Sequence, residues 1–218
     1  NSKRWKEEVL NLKLLVANTE VVLSATRLEN YGQESLIQFT WNNPDFSFSE
    51  ILEIAGELPL PPYMNRTATA DDRIRYNTVY AVYEGSVAAP TAGLHFTNEL
   101  LQDLTSNGVE TLDVLLHVGA GTFKPVKADS MKDHDMHAER IKVSVDTIEK
   151  LNQQKKHRKI IPVGTTSTRT LESLYWMGVQ IIEHRHQAGD FSVSQWEPYE
   201  SKNNSTVDEA LTALINYA

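Results

Sequence analysis

A short segment in the middle of the chain, DHDMHAE at 133–139, carries side chains that could exchange protons. Its histidines, His134 and His137, are three residues apart, and three carboxylates surround them: Asp133, Asp135 and Glu139. Imidazole and carboxylate also suit zinc or iron, but the segment lacks a third firm ligand, so we expect no metal. Histidines near carboxylates are the usual proton carriers near neutral pH. The segment indicates acid–base chemistry, with a solvated polar turn as the alternative.

Two glycine-containing loops follow predicted strands, where the ligand crevice of an open α/β sheet lies. In VGAGTF (118–123), Gly119 and Gly121 permit close backbone approach, and His117 ends the strand. In VGTTSTR (163–169), hydroxyl side chains lie near a helix N-terminus and a cation follows them, which favours an anion or a polar ligand edge: Thr165, Thr166, Ser167, Thr168 and then Arg169. Ordinary β–α turns with capping hydroxyls are the alternative for both loops.

A third loop, GSVAAPTAGLHF at 85–96, has no acidic or basic side chain apart from its histidine, His95. Its side chains are too small for a good core, and the run is too apolar for an ordinary solvated loop. Together with the two other glycine loops it indicates one wall of a pocket. Small residues such as Thr91 and Gly93 would leave space for a ligand there.

The first part of the chain is predicted to form β-strands. The β-branched, partly alternating runs 12–18, 20–26 and 34–41 predict antiparallel strands. Helical periodicity starts at Ser47 and stops at Gly56, and the proline-rich segment 57–63 predicts a rigid, extended connector.

Strand and helix patterns alternate in the rest of the chain. Strands are predicted at 111–118, 139–145, 159–164 and 190–194. Helices are predicted at 74–83, from Thr97 to Gly108, after a capping box of Asp146 and Glu149, at 165–178, and after a capping box of Thr206 and Glu209. This pattern predicts an α/β (overall α+β) chain, in which a piece of a small barrel or sheet module is joined to an α/β domain with a largely parallel sheet.

Composition limits the class of protein. The 218 residues are 40% hydrophobic and 23% charged, which is typical of a globular chain. There is no cysteine, so disulfides and thiolate chemistry are excluded. No apolar run is long enough to cross a bilayer and no secretion signal is visible, so we expect a cytoplasmic protein. With a net charge of -8, nucleic acid could be held only by a local basic patch, for which Lys124, Lys127 and the run 155–159 are candidates. A solvated helix C-terminus is the commoner explanation of the basic run 153–159.

Several long motifs occur in the order seen in one family. They are GELPLPPY (56–63), YNTVYA (76–81), GSVAAPTAGLHFT (85–97), LHVGAGTFKPV (116–126), DHDMHAE (133–139) and VGTTSTRTLES (163–173). Over these residues, roughly half of the chain, the protein resembles the S-adenosylmethionine:tRNA ribosyltransferase-isomerases of queuosine synthesis. Asn77 stands where the family often has glutamine, and Thr168 where it often has valine. The terminal Asn-Asn-Thr-Arg and Asn-Phe-His-Leu-Pro segments of that family are missing, so we expect an excised portion. The resemblance implies that residues 1–45 are part of a small antiparallel β-barrel domain. It also implies that 46–218 form much of a three-layer α/β domain with a largely parallel or mixed sheet.

The resemblance implies that S-adenosylmethionine is a substrate that supplies its ribosyl group, and that no cofactor or metal is needed. The acceptor would be tRNA carrying 7-aminomethyl-7-deazaguanine, the product epoxyqueuosine, and adenine and methionine would leave. A base, an acid and groups that orient the ribose are needed for this chemistry. A monomer is favoured, and no membrane partner is expected.

Site roles follow from the resemblance together with residue type. His95 and His137 are the candidate base and acid, with His134, His117 and Glu139 tuning or orienting them. Thr91, Gly93, Gly119, Gly121 and Thr122 would line the S-adenosylmethionine pocket, and Thr165, Thr166 and Arg169 would hold a polar end. Two rivals are a truncated, non-catalytic module that binds S-adenosylmethionine or tRNA, and a methyltransferase. The methyltransferase is disfavoured because the glycine-rich fingerprint of that fold is absent.

Overall fold

The computed structural model describes residues 5, 8–31, 34–61, 64–83, 86–119, 121, 129–134, 136–154, 159–186 and 191–218. They divide into two compact units, Asn1–Leu58 and Pro59–Ala218. Several sequence predictions lie outside the described residues, namely Thr122, Lys124, Lys127 and residues 155–158 of the basic run.

The first unit is an antiparallel sheet of three strands in the order β1-β2-β3. The strands are Val9–Val16, Thr19–Tyr31 and Glu34–Trp41, which confirms the three predicted β segments. Ala17 and Asn18 both have positive φ and form the tight turn between β1 and β2, as expected for a two-residue hairpin. The pairing of these three strands is that of an open sheet, and a closed barrel remains a prediction.

Helix α1, Phe48–Ala55, packs on this sheet through a fully buried Ile51 that joins Val16, Val21 and Leu23 in one apolar cluster. Its predicted start at Ser47 is confirmed, because Ser47 and Glu50 form a reciprocal capping box. The compact units divide after α1, between Leu58 and Pro59. The domain boundary that the sequence predicts at 45/46 remains a prediction.

The second unit combines helices with a two-stranded sheet. Its strands β4 (Leu115–His117) and β5 (Arg140–Lys142) pair antiparallel. Its helices are α2 (Asp72–Arg75), α3 (Asn98–Ser106), α4 (Val145–Gln154), α5 (Thr165–Ile182), α6 (Glu197–Glu200) and α7 (Val207–Tyr217), with short 3₁₀ helices at Thr91–His95 and Met131–Asp133. No helix formed by these residues is both long and apolar enough to cross a membrane.

Helices α4, α5 and α7 enclose the main core of this unit. Five buried aliphatic side chains meet there: Ile148, Leu151, Leu174, Leu211 and Leu214. Gly178 on α5 lets the backbone of Ala210 on α7 come close, since a Cβ at Gly178 would lie 2.5 Å from the Ala210 carbonyl carbon. The capping box predicted for α7, Thr206 with Glu209, is confirmed. This core fixes the position of α5, whose first turns reach the site described below.

The mixed α and β composition is confirmed, but the sheets of the described residues are both antiparallel. Residues 159–164 and 191–194 form no strand, and Ile161 in the first segment is 79% exposed. A short apolar run does not by itself identify a partner strand. The largely parallel sheet predicted from strand–helix alternation is therefore not found among the described residues.

Two helix predictions also need correction. The helix predicted at 74–83 ends at Arg75, because Asn77 accepts a hydrogen bond from the Thr78 backbone N–H and turns the chain. Helix α4 is capped by Ser144, whose hydroxyl accepts from the Thr147 N–H, rather than by Asp146. In both cases a local side-chain contact decides the boundary.

Candidate functional site

The third glycine loop is fastened to the end of β4. The Val87 N–H donates to the Val118 carbonyl oxygen at 2.9 Å. The Ser86 hydroxyl donates to the Leu116 carbonyl oxygen at 3.1 Å and accepts from the Val118 N–H at 3.2 Å. The 3₁₀ helix Thr91–His95 begins three residues after the last of these contacts, at Ala88. The loop predicted to form a pocket wall is therefore joined to the end of β4 by hydrogen bonds.

Antiparallel pairing brings the end of β4 beside the start of β5. His117 lies opposite Arg140 in this register, so the residue before β5, Glu139, follows at the same end. The pairing therefore places the loop after β4 and the 133–139 segment together, although His117 and Glu139 are 22 residues apart in the sequence.

A buried carboxylate joins three of the predicted site residues. Glu139 Oε1 lies 3.0 Å from His137 Nε2, and Glu139 Oε2 lies 3.4 Å from Arg169 Nη2. The Arg169 Nη2 also donates to the His137 carbonyl oxygen at 3.3 Å. The Glu139 side chain is only 4% exposed, whereas those of His137 and Arg169 are 32% and 38% exposed. The carboxylate is thus internal, and its two partners face the surface.

The contact to Glu139 has a chemical consequence for the imidazole of His137. An ionised carboxylate only accepts hydrogen bonds, so Nε2 must carry the ring proton when His137 is neutral. Nδ1 is then the ring nitrogen that holds the lone pair. A carboxylate that orients a histidine in this way is a recurring arrangement in general acid–base catalysis.

The loop after β4 covers the His137 ring. A Cβ at Gly121 would lie 2.7 Å from Cγ and 2.9 Å from Cδ2 of His137, closer than carbon atoms pack. Glycine at 121 is therefore required by the contact with the ring. Gly119 is different, because no described atom lies within 4 Å of an ideal Cβ there. Its role in lining a pocket stays a prediction.

The first turn of α5 lies against the 3₁₀ helix. Gly164 precedes α5 with a φ of +93°, which favours glycine, and its Cβ position would be 3.4 Å from the Cβ of Ala92. Thr165 is exposed and Thr166 is half-buried. The hydroxyls predicted to hold a polar ligand edge therefore lie next to the predicted pocket wall, with Arg169 one turn further along α5.

The contacts close a ring of four segments: 86–95, 117–121, 134–140 and 164–169. Within this ring the structure brings together His137, Glu139, Arg169 and Gly121 directly. Gly93 is buried inside the wall, where a Cβ would lie 2.8 Å from Thr78 Cγ2 and closer still to the Tyr80 hydroxyl. Thr91 is exposed on the wall, and His117 is half-buried at the end of β4.

The two other histidines are less constrained. His95 is exposed at the end of its 3₁₀ helix, and His134 is half-buried. Neither side chain forms a hydrogen bond with the described residues. The inward orientation that the sequence suggests for His95 is therefore not supported by burial, and the catalytic roles of both residues stay predictions.

Three residues near the site were not found by sequence reasoning. Ser86 fastens the wall, Tyr80 supports Gly93, and Gln195 binds the backbone on both sides of residue 135. Burial, and then the charge of Asp113, raises the pKa of the Tyr80 phenol above its usual value. Ser86 lies inside the motif at 85–97, but its residue type alone does not indicate its contacts with β4. Nothing in the sequence around Gln195 indicates its contacts.

The fold and site define a mixed α/β protein whose polar site is built from four chain segments around one internal carboxylate. The chain belongs to the queuosine biosynthesis protein family, whose model matches residues 1–211. The family resemblance inferred from the motifs is thereby confirmed.

Two curated relatives are both named S-adenosylmethionine:tRNA ribosyltransferase-isomerase. The protein of Desulfitobacterium hafniense is 52% identical over 128 residues, which cover 58% of this chain and 37% of that protein. The protein of Maricaulis maris is 42% identical over 180 residues, which cover 80% of this chain and 51% of that protein. The chain thus spans about half, or less, of the length of these relatives. No solved structure matches it.

Proposed function

We propose that the chain carries the site of an S-adenosylmethionine:tRNA ribosyltransferase-isomerase. It would transfer and isomerise the ribosyl group of S-adenosylmethionine onto 7-aminomethyl-7-deazaguanine in tRNA, giving epoxyqueuosine and releasing adenine and methionine. The family and the names of its relatives support this activity. The observation in the structure that supports it best is the internal Glu139 carboxylate shared by His137 and Arg169.

The reaction needs proton transfer at two places, and the His137 imidazole beside Glu139 can carry out one of these transfers. A base must remove a proton beside the sulfonium, and an acid must assist the departure of adenine. His137, oriented by Glu139, is our candidate for one of these steps, and His95 is the candidate for the other. His117 and His134 would tune or orient them.

Binding of S-adenosylmethionine is assigned to the small-residue walls and the start of α5. Thr91, Gly93, Gly119, Gly121 and Thr122 would line the pocket. Thr165, Thr166 and Arg169 would hold an anionic end, either the methionine carboxylate or a tRNA phosphate, because helix N-termini and guanidinium groups favour negative charge. S-adenosylmethionine is a substrate in this proposal, and no further cofactor is invoked.

We place the activity in the cytoplasm, on a monomer that reads one extruded base of tRNA. With a net charge of -8, the chain would hold tRNA through a local basic patch rather than through its overall charge. Binding would then weaken only modestly as salt is raised. A steep dependence on salt would contradict this part of the proposal.

Adenine release tests the proposed reaction directly. The chain is incubated with S-adenosylmethionine labelled in the adenine ring and with precursor tRNA, and free adenine is measured in a single turnover. Release of adenine that depends on the tRNA supports the transferase. Transfer of a methyl group without adenine release refutes it, and binding of S-adenosylmethionine without turnover supports the non-catalytic module instead.

A matched pair of variants tests the role of the internal carboxylate. Glu139→Gln keeps the shape of the side chain but removes its charge, and we expect adenine release to slow about 100-fold, at the lower end of what a misoriented acid–base group costs. Glu172→Gln changes an exposed carboxylate on α5 and should leave the rate within a factor of two or so of wild type. Equal rates for the two variants would exclude Glu139 from the mechanism.

A further inference from the structure

Gln195 makes two backbone hydrogen bonds to the turn that carries the histidines. Its Nε2 donates to the His134 carbonyl oxygen at 2.8 Å, and its Oε1 accepts from the Met136 N–H at 2.8 Å. Gln195 is 59 residues away from Met136 along the chain. A primary amide is suited to this task because it offers a donor and an acceptor at a fixed spacing.

The segment that carries Gln195 is itself anchored on α5. Gln180 Nε2 donates to the Ser192 carbonyl oxygen at 3.0 Å and to Glu197 Oε2 at 3.2 Å. Arg185 Nη2 donates to the other oxygen of Glu197 at 2.8 Å, and Glu197 is buried. The segment 192–197 is therefore anchored by side-chain hydrogen bonds on both sides of Gln195.

The turn that carries the histidines is consequently bound from two sides, by the start of α5 and through residues at and just after its end. Arg169 near the start of α5 binds the His137 carbonyl oxygen and lies beside Glu139. Gln180, in the last turn of α5, and Arg185, three residues after the end of α5, bind the segment 192–197, whose Gln195 binds the backbone at 134 and 136. Between the 3₁₀ helix that ends at Asp133 and β5, which starts at Arg140, the described residues form no regular element.

We propose that Gln195 is a positioning residue for the site. It acts through the backbone at 134 and 136 to set the place of the His137 imidazole relative to Gly121 and Glu139. The inference rests on the proposed function, because it assigns the support of the acid–base group in that site. Displacement of a reacting group by about 1 Å is enough to cost about 100-fold in rate.

Three variants separate positioning from general stability. Gln195→Ala removes both hydrogen bonds. Gln195→Glu keeps the shape and the acceptor for the Met136 N–H, but its carboxylate cannot donate to the His134 carbonyl oxygen. Gln153→Ala removes an exposed amide on α4 and serves as the matched control.

The first measurement does not depend on enzymatic activity. Hydrogen exchange of the Met136 amide should be about tenfold faster in Gln195→Ala than in wild type, because its acceptor is lost. The imidazole carbon and proton shifts of His137 should move in the same variant. Gln153→Ala should change neither. An unchanged exchange rate and unchanged His137 shifts in Gln195→Ala would overturn the proposal.

The second measurement is the single-turnover release of adenine. We expect the rate in Gln195→Ala to fall about tenfold or more, with little change in the concentration of S-adenosylmethionine that half-saturates it. Two results would contradict a positioning role. One is a change only in the half-saturating concentration of S-adenosylmethionine, and the other is a rate equal to that of Gln153→Ala. If the wild-type chain releases no adenine, the proposed function fails, while amide exchange and histidine shifts still decide the role of Gln195.

In the Gln195→Glu variant, lowering the pH should restore part of the adenine-release rate. A protonated glutamic acid can donate to the His134 carbonyl oxygen and accept from the Met136 N–H, and so it reproduces the amide. The ratio of its rate to the wild-type rate should therefore rise as the pH falls from about 8 towards about 5, where protonation of a glutamate beside a carbonyl begins. The same ratio for Gln195→Ala should stay constant. Parallel ratios for the two variants would overturn the proposal.

Discussion

Replacing Gly178 with alanine tests the close crossing of α5 and α7, on which the position of the site depends. Two effects of opposite sign compete in this variant. In an exposed helix, a change from glycine to alanine stabilises by about 1 kcal/mol, because alanine loses less backbone entropy on folding. At Gly178 the new Cβ would lie 2.5 Å from the carbonyl carbon and 2.9 Å from the Cα of Ala210.

The geometry gives the size of the second effect. Ordinary contacts of a Cβ begin at 3.4 Å, so that α7 must withdraw by about 1 Å at this point. The withdrawal loosens the contacts of Leu211 and Leu214 with Leu174, and a radial gap of that size forfeits up to about half of the dispersion energy of each contact. Overpacking of this kind costs about 3 kcal/mol. After the gain in helix propensity, the free energy of unfolding should fall by about 2 kcal/mol.

Urea denaturation followed by circular dichroism, with hydrogen exchange of the α5 amides, measures this change in the second unit. Glu172→Ala, at an exposed position of the same helix, gains propensity without a clash and should be as stable as wild type or slightly more so. If Gly178→Ala raises the free energy of unfolding by about 1 kcal/mol, only the propensity effect operates. The close crossing of the two helices would then be refuted.

Two further changes test the site wall and the partly buried ion pair of Arg66 with Asp72. Gly121→Ala places a Cβ against the His137 ring, so adenine release should slow about tenfold and the imidazole shifts of His137 should move; an unchanged ring would contradict the contact. Hydrogen bonds from Arg66, and then from the Thr69 backbone, hold the pKa of Asp72 well below its usual value. That carboxylate therefore stabilises the fold above pH ~4, and the stabilisation is lost as the pH falls through the lowered pKa. The urea midpoint of Asp72→Asn should lie below that of wild type at pH 7, and the difference should shrink progressively as the pH falls below ~4 towards the lowered pKa; a constant difference would refute the assignment.

Local rules made much of the secondary structure predictable. Ser47 with Glu50, Thr97, and Thr206 with Glu209 mark helix starts in the sequence, and the structure forms each of these caps. A cap involves residues only three or so apart, so its energy does not depend on the rest of the fold. The family was also readable, because its long motifs survive in order along the chain.

The residues of the candidate site were predictable by type but not by arrangement. His137, Glu139 and Arg169 were each singled out from the sequence, yet nothing local indicates that one carboxylate joins the other two. That arrangement depends on the β4–β5 register and on the placement of α5, both of which are set by contacts between distant residues.

Segments without a strong local signal were predicted wrongly or not at all. The apolar run at 159–164 satisfies a strand pattern, but a strand also needs a partner, and the sequence pattern does not name one. Gln195 lies in a stretch without regular periodicity, and its partners are 59 and 61 residues away. The sequence by itself determined three of the helix caps, the antiparallel strands of the first unit and the chemical types in the site, because these depend on near neighbours. Only the tertiary structure decided which carboxylate serves which histidine and what holds the turn between them, because those contacts form when distant segments pack.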